Sequence, residues 1–261
     1  ILFCDIRGFT PISEQYKTDP QGLTALINRF LTPMTNMIMD NNGTIDKYMG
    51  DCIMAFWNAP LDVTDHRKKA IESALAMVEG LKGLNEELSS ENKMPINIGI
   101  GINTGEVVVG NMGSQSRFDY SILGDAANLA SRLEGQSKGY GVTIILGEST
   151  VEDIESEYFC IELDSIAVKG KEDAVRIFTV LSTQEHMWYN TNWASLEQQH
   201  EKFLTLYRNQ KWIVAEKFAN DLAAAWPEMF EYYNIMLERI ENYKHNSPGD
   251  EWDGVYRATS K

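Results

Sequence analysis

The chain has 261 residues, with 38 acidic against 23 basic side chains and a formal net charge of −15. This length allows one large domain or one domain with an appendage. The negative charge repels polyanions, and no basic stripe or nucleic-acid module is visible, so we exclude nucleic acid as a partner. No apolar run in the sequence approaches the ~18 residues of a membrane span, and no signal peptide is visible.

The three cysteines, Cys4, Cys52 and Cys160, lie in apolar, strand-like contexts. Because their number is odd and small, we expect reduced thiols and a cytoplasmic location. The first residue, Ile1, lies inside a strand-like run, which indicates a fragment that lacks the front of that strand. We therefore expect a sensor or membrane region upstream, with this chain as the cytosolic part of its parent protein.

After this first strand, apolar residues recur at helical spacing over residues 20–40. Asp19 is predicted as the N-cap of that helix, with Pro20 at its first position. Further predicted elements are a β-hairpin over 44–57 that turns at Met49-Gly50, a helix over 63–88, a strand over 96–102, and its hairpin partner over 106–110.

The pattern continues with a helix over 124–136, a strand over 142–146, a helix over 148–154, and strands over 158–168 and 174–181. The order βαββαββαβ with hairpins predicts an α+β, ferredoxin-like core, in which an antiparallel-rich sheet is flanked by helices. An all-parallel sheet does not fit this order.

Residues 183–261 differ from the preceding part of the chain in composition and in predicted structure. Five of the six tryptophans lie there, and the apolar spacing predicts three helices and no strand. Trp212, Ala215 and Phe218, followed by Pro227, are similar to one unit of a tetratricopeptide-type repeat. Since no second copy is visible, we favour a helical extension that packs on the preceding domain.

Two aspartates stand at strand ends in short, specific segments. Asp5 ends the run Ile-Leu-Phe-Cys-Asp and precedes Ile6-Arg7-Gly8-Phe9-Thr10, a turn into a helix. Asp51 follows Gly50 at the hairpin turn. Either aspartate alone indicates an ordinary turn or strand end. Together, beside a glycine turn with free amide groups, they suit Mg²⁺ that carries a polyphosphate.

A third segment, residues 119–134, runs from a strand into an amphipathic helix, on which Asn128 and Arg132 are four apart and share one face. The three segments, in this order, resemble the catalytic domain of the class III nucleotide cyclases. The resemblance covers about residues 1–182, so we predict a catalytic domain there and a helical extension over 183–261.

This resemblance implies a site with two Mg²⁺ or Mn²⁺ ions, held by Asp5, Asp51 and the carbonyl of Ile6. The backbone amides of Gly8, Phe9 and Thr10 are then expected to bind the β- and γ-phosphates. Taken without Asp5, the Gly-Phe-Thr turn would indicate only a tight turn with a capping threonine.

The family likeness also implies catalytic roles on the helix that follows residue 124. Arg132 is expected to stabilise the transition state at the α-phosphate, and Asn128 to orient the ribose. Lys169 and Lys171 match a family segment that reaches the terminal phosphates, although a solvated basic turn is an equal alternative. Arg117 is a further candidate for phosphate contact.

The choice of base is expected to depend on Lys47 and Ser121. Family members that use ATP have a lysine at the first position, which donates to adenine N1, and an aspartate or threonine acceptor at the second. Serine retains the acceptor hydroxyl of threonine. Guanylate cyclases carry glutamate and usually cysteine at these positions, so the sequence predicts ATP as the substrate.

The resemblance thus predicts a homodimeric adenylate cyclase, a lyase that converts ATP to 3′,5′-cyclic AMP and pyrophosphate. In this family the metal carboxylates come from one subunit and the base-reading and transition-state groups from the other. The alternatives are a guanylate or dual-specificity cyclase, a degenerate nucleotide-binding regulatory module, and an inactive scaffold. The retained Asp5, Asp51 and Arg132 disfavour the degenerate module.

Overall fold

The computed structural model describes residues 1–152, 154, 156–167, 174–184 and 192–257. Lys169 and Lys171 lie outside the described residues. The chain forms two compact units, residues 1–135 and 136–261. This division does not coincide with the predicted domain boundary at residue 182, which remains a prediction.

The first unit contains six strands and four helices among its described residues. In chain order they are β1 (Leu2–Ile6), α1 (Phe9–Glu14), α2 (Pro20–Asp40), β2 (Thr44–Met49), β3 (Cys52–Phe56), α3 (His66–Ser90), β4 (Ile98–Ile102), β5 (Val108–Gly113), β6 (Phe118–Leu123) and α4 (Asp125–Gln136). The predicted start of α2 is confirmed, because the Asp19 side chain accepts a hydrogen bond from the Gly22 backbone N–H at 2.9 Å.

Four of these strands lie side by side in the order β2-β3-β1-β4, with antiparallel pairing throughout. The prediction that residues 106–110 pair with the strand over 96–102 was wrong. β5 pairs instead with β6 in a separate two-stranded sheet, which a Ser114 N–H to Arg117 carbonyl bond of 2.7 Å closes. β4 is buried along its whole length, whereas β5 is largely exposed. The two strands therefore belong to different sheets, one in the core and one at the surface.

One face of β1 and β3 packs against β6 and α4. Phe3, Met54 and Phe56 form a buried apolar cluster there with Ile122, Ala127 and Ala130. Gly101 on β4 allows a close approach of α4, since a Cβ at this position would lie 2.2 Å from the Glu134 backbone nitrogen and 2.3 Å from the Ala130 carbonyl oxygen. The absence of a side chain at Gly101 therefore sets the distance between β4 and α4.

The second unit contains three strands, a short helix and the three predicted tail helices among its described residues. They are β7 (Ile144–Gly147), α5 (Glu148–Val151), β8 (Tyr158–Ala167), β9 (Ala174–Thr183), α6 (Trp193–Arg208), α7 (Trp212–Ala225) and α8 (Phe230–His245), with 3-10 turns at Lys138–Tyr140 and Pro227–Met229. β9 lies between β7 and β8 and pairs antiparallel with both.

The tail helices are anchored on β8 by buried aromatic and polar contacts. The Trp193 ring stacks on Phe159, with centroids 5.4 Å apart. The fully buried carboxylate of Asp164 accepts hydrogen bonds from the Tyr140 hydroxyl at 2.8 Å and from Arg239 on α8 at 2.5 Å. Buried polar groups satisfied in this way stabilise one arrangement of the helices on the strand.

Candidate active site

The two predicted metal carboxylates lie together in the first unit. β1 carries Asp5 near its end, and the pairing of Cys4 with Ile53 puts the β2–β3 turn beside it. Gly50 adopts the left-handed backbone conformation that this turn requires, with φ of 69°. Asp51 follows directly, and its side chain shares a hydrogen bond with that of Asp5.

Burial raises the pKa of Asp5 to about 6, and the charge of Asp51 together with their shared hydrogen bond adds to this rise. Two carboxylates that share a hydrogen bond resist simultaneous ionisation unless a cation lies between them. Their hard oxygen donors fit Mg²⁺ or Mn²⁺. The pair therefore has the chemistry that a divalent cation site needs.

Within the part of the chain that the structure describes, no group of three or more acidic, histidine or cysteine side chains could hold a metal ion. The protein would accordingly supply the carboxylates of Asp5 and Asp51 and the carbonyl of Ile6. This small donor set suits Mg²⁺, which keeps positions open for substrate phosphates.

The predicted phosphate turn directly follows β1. Gly8 has a left-handed φ of 64°, and no atom lies within 4 Å of where its Cβ would be. Gly8 and Thr10 are exposed, Phe9 is partly exposed, and the first turn of α1 has no side-chain cap among the described residues. The amides of this turn are therefore accessible, as phosphate binding would require.

Glu134 lies close to the carboxylate pair, and Arg7 lies close to Glu134; neither was predicted as a site residue. Burial raises the pKa of Glu134 to about 7, with a further rise from Asp5 and Asp51, while the positive charge of Arg7 opposes it. A signal was available: Glu134 falls on the same helical stripe as the buried Ala127 and Ala130, where an acid is unusual.

Asn128 and Arg132 lie on the opposite face of α4 from Glu134. Both are exposed, whereas Ala127 and Ala130 are buried against the sheet. Since Glu134 faces Asp5 and Asp51 of its own chain, Arg132, two residues earlier on the helix, points away from them. A single chain therefore does not bring its own Arg132 to its own carboxylate pair.

The predicted base-reading residues Lys47 and Ser121 are brought together by Asp46, which was not predicted as a site residue. The Ser121 hydroxyl donates to both carboxylate oxygens of Asp46, at 3.0 and 2.8 Å. Lys47 Nζ lies 3.2 Å from Asp46 Oδ1. A β-bulge between Ile45 and Lys47 leaves Asp46 without a partner on β3, and such bulges re-aim side chains.

Arg117 lies in the β5–β6 turn, with its side chain 84% exposed and 3.9 Å from Asp119. Its contact with phosphate stays a prediction. The same prediction for Lys169 and Lys171 falls outside the described residues.

Comparisons with known proteins identify the family of this chain. The family model described as the adenylate and guanylate cyclase catalytic domain matches residues 1–182. The chain belongs to the class III nucleotide cyclases. The predicted ferredoxin-like cyclase fold is confirmed by the adenylyl cyclase CyaB from P. aeruginosa, with a TM-score of 0.64 and 36% identity over 69% of this chain and 92% of that structure.

Other class III cyclases are also similar to this chain. The adenylate cyclase of Anabaena cylindrica is 40% identical over 187 residues, which are 69% of this chain and 36% of that protein. Adenylate cyclase 1 of Rhizobium meliloti is 32% identical over 180 residues, 69% of this chain and 27% of that protein. The structure of the guanylyl cyclase Cya2 has a TM-score of 0.63 at 32% identity, covering 70% of this chain and 90% of that structure.

The chain thus spans about a third of the curated cyclases that it matches. In the part of the chain that the structure describes, no helix is both long and apolar enough to cross a membrane.

Proposed function

We propose that this chain is an adenylate cyclase, which converts ATP to 3′,5′-cyclic AMP and pyrophosphate. The proposal depends on one observation: Lys47 and Ser121 both contact the carboxylate of Asp46. The same chain also retains the Asp5–Asp51 pair. The lysine ammonium can donate to adenine N1, which has a free lone pair, whereas guanine N1 carries a hydrogen and would oppose it.

The reaction requires the ribose 3′-oxygen to attack the α-phosphorus and to expel pyrophosphate. Two Mg²⁺ or Mn²⁺ ions held by Asp5, Asp51 and the Ile6 carbonyl would supply charge neutralisation and a more acidic 3′-hydroxyl. Gly8, Phe9 and Thr10 would bind the β- and γ-phosphates through their amides.

The remaining groups act on the reacting phosphate and the ribose. Arg132 would stabilise the negative charge that develops at the α-phosphate in the transition state. Asn128 would hold the ribose so that its 3′-oxygen stays in line with the phosphorus. Lys169, Lys171 and Arg117 remain proposed phosphate contacts.

We further propose that the working enzyme is a homodimer with two equivalent sites at the subunit interface. Its support is that Arg132 points away from the carboxylates of its own chain. Val108 and Leu123 lie opposite each other in the β5–β6 sheet and are each 66% exposed, which leaves an apolar pair that a second copy could cover. A two-fold dimer would then complete each site with the second copy's α4.

A guanylate or dual-specificity cyclase is the second candidate, and its support is the similarity to the guanylyl cyclase Cya2. Lys47 argues against it, because a guanine-reading site needs an acceptor at this position. A degenerate regulatory module is disfavoured because Asp5, Asp51 and Arg132 are all retained. We also propose a catalytic domain over residues 1–182, a helical extension over 183–261, and a cytoplasmic location, where ATP is present.

The direct test is to incubate the purified chain with ATP or GTP and Mg²⁺ or Mn²⁺, and to identify the product by chromatography. We expect cyclic AMP, with a kcat/KM for ATP well above that for GTP. Asp51→Ala should abolish activity without unfolding the protein, because it removes a metal ligand from a turn rather than a core side chain. Cyclic GMP as the main product would favour the second candidate.

A further inference from the structure

Asp46 is buried between the two residues that are expected to read the base. Its side chain has no exposed surface, whereas the side chain of Lys47 is 40% exposed. Its Oδ2 also accepts a hydrogen bond from the Ile122 backbone N–H at 3.2 Å. The carboxylate of Asp46 therefore contacts Ser121, Ile122 and Lys47 at once, and it connects β2 to β6.

These contacts fix the direction of the hydrogen bond at Ser121. A carboxylate can only accept, so the Ser121 hydroxyl must donate its single hydrogen to Asp46. Ser121 is only 5% exposed, so water scarcely competes for that hydrogen. The serine oxygen then has only lone pairs to offer to any third group.

We propose that Asp46 is a specificity-determining residue of this site, which makes Ser121 an acceptor-only group and holds Lys47 beside it. This inference rests on the proposed function. An acceptor-only oxygen matches the exocyclic amine of adenine, which donates. It opposes the carbonyl at the equivalent position of guanine, which accepts. A serine hydroxyl can by itself either donate or accept a hydrogen bond. Through its contact with Asp46, Ser121 would act only as an acceptor.

Asp46→Asn is the decisive substitution, because the structure also predicts how the new amide would be oriented. The Ile122 N–H requires an acceptor, so the amide oxygen takes the place of Oδ2, and the amide nitrogen faces Ser121 and Lys47. The amide nitrogen, 3.0 Å from Ser121 Oγ, can then donate to the serine oxygen, while the amide oxygen, 2.8 Å away, still accepts from the hydroxyl. A neutral amide holds that hydrogen more weakly than a carboxylate does, so the hydroxyl can donate to guanine, and Lys47 loses its partner charge.

The measurement is kcat/KM for ATP and for GTP, with KM and kcat determined separately. We expect Asp46→Asn to lower the ATP-to-GTP ratio by about tenfold or more, mainly through KM, as sites that read a base by hydrogen bonds lose discrimination when a partner is changed. Ser121→Thr, which keeps the hydroxyl, should retain the ratio. Asp40→Asn makes the same chemical change at an exposed position on α2 and should leave the ratio unaltered.

A double-mutant cycle separates this role from a structural one. In a Ser121→Ala background there is no hydroxyl to re-orient, so Asp46→Asn should no longer raise kcat/KM for GTP. The inference is overturned if folded Asp46→Asn keeps the wild-type ratio. It is equally overturned if the gain with GTP is as large without the Ser121 hydroxyl as with it.

Failure of the proposed function would look different. If the wild-type chain forms no cyclic nucleotide from either substrate, the proposed activity is wrong irrespective of Asp46. The same variants would then be compared by the displacement of a fluorescent ATP analogue with ATP and with GTP. Asp46→Asn should reduce the preference for ATP in this binding measurement, and an unchanged preference would overturn the inference there too.

Discussion

The acidic residues around the candidate metal site interact with one another. The pKa of Asp5 is raised to about 6, first by burial and then by Asp51, and burial raises that of Glu134 to about 7. In the unfolded chain both groups return to the ordinary values near 4. Between about pH 4 and pH 7 the folded chain therefore binds more protons at these groups than the unfolded chain does.

It follows that these acids make the metal-free protein less stable as pH rises through this window. Stability falls with pH wherever the folded state binds more protons. Asp51→Asn removes one of the charges that raise the pKa of Asp5, so the fall should be weaker in this variant. We expect the difference in Tm between Asp51→Asn and wild type to grow in favour of the variant from pH 4.5 to pH 8.

The measurement is thermal unfolding in the presence of a chelator at several pH values, with the exposed Asp40→Asn as the charge-matched control. Parallel curves for Asp51→Asn and wild type would show that the carboxylates are not coupled. Adding Mn²⁺ at pH 8 should raise the Tm of wild type more than that of Asp51→Asn, because binding to the folded state stabilises it.

At the scale of residues, the sequence singled out Lys47 and Ser121, and the structure brings both into contact with Asp46 although they are far apart in the chain. Their role in reading the base stays a prediction. Asp46 was missed because a β-bulge, which the apolar pattern does not encode, turns its side chain into the site. Glu134 was not predicted because a charged residue is normally assigned to the exposed face of a helix, whereas Glu134 lies on the buried stripe of α4.

At the scale of elements, the close approach of α4 to Gly101 controls where α4, the proposed catalytic helix, lies. A Cβ on Gly101 would collide with backbone atoms of α4 at 2.2 and 2.3 Å, and backbone cannot rotate away as a side chain can. Since α4 carries Asn128 and Arg132, any shift of this helix moves both groups. The distance between β4 and α4 is thus part of the geometry of the proposed active site.

Gly101→Ala should therefore lower both the Tm and kcat. Displacement of α4 by even about 1 Å can cost a large factor in rate, because the reacting groups lose their alignment. Gly83→Ala is the matched control: it lies on the exposed side of α3 with open space around it, and alanine stabilises a helix interior by about 0.5–1 kcal/mol relative to glycine. Equal effects of the two substitutions would contradict this account.

The elements that the sequence predicted least well were those whose partners are distant. Alternating apolar residues indicated that 106–110 forms a strand, but strand pairing depends on the turn that follows, and the closing bond between Ser114 and Arg117 was not visible in the pattern. Helices were more predictable, as at Asp19, because N-caps are local.

At the scale of the molecule, the tail helices form a compact unit with β7, β8 and β9. The buried ion pair of Asp164 and Arg239 joins α8 to β8, and the Tyr232 hydroxyl on the same helix donates to the Leu163 carbonyl at 2.7 Å. We expected such coupling from the density of large apolar residues in the tail. These contacts argue that the helical extension is part of the folded protein rather than a tethered appendage.

Arg239→Ala should destabilise the protein by about 3–5 kcal/mol, because it leaves the carboxylate of Asp164 buried without its cation. Arg257→Ala removes an arginine from an exposed ion pair with Asp253 and should change stability little. Urea unfolding of both variants provides the comparison. A small effect of Arg239→Ala would mean that this buried ion pair does not stabilise the attachment of α8 to β8.

The central claim is an adenylate cyclase whose sites are each built from two subunits, and complementation between two inactive variants tests it most directly. Asp5→Ala removes the metal half of each site, and Arg132→Ala removes the transition-state half. A mixed dimer collects both lesions in one site and leaves the other intact.

Each variant alone should show only background formation of cyclic AMP. Equal mixing with random exchange should make about half of the dimers mixed and restore about a quarter of wild-type activity, by two-fold symmetry. Titration of one variant against the other should peak near equal amounts, and labelled subunits would confirm exchange by energy transfer. If subunits exchange and no activity returns, the sites are not shared between subunits, and the account is contradicted.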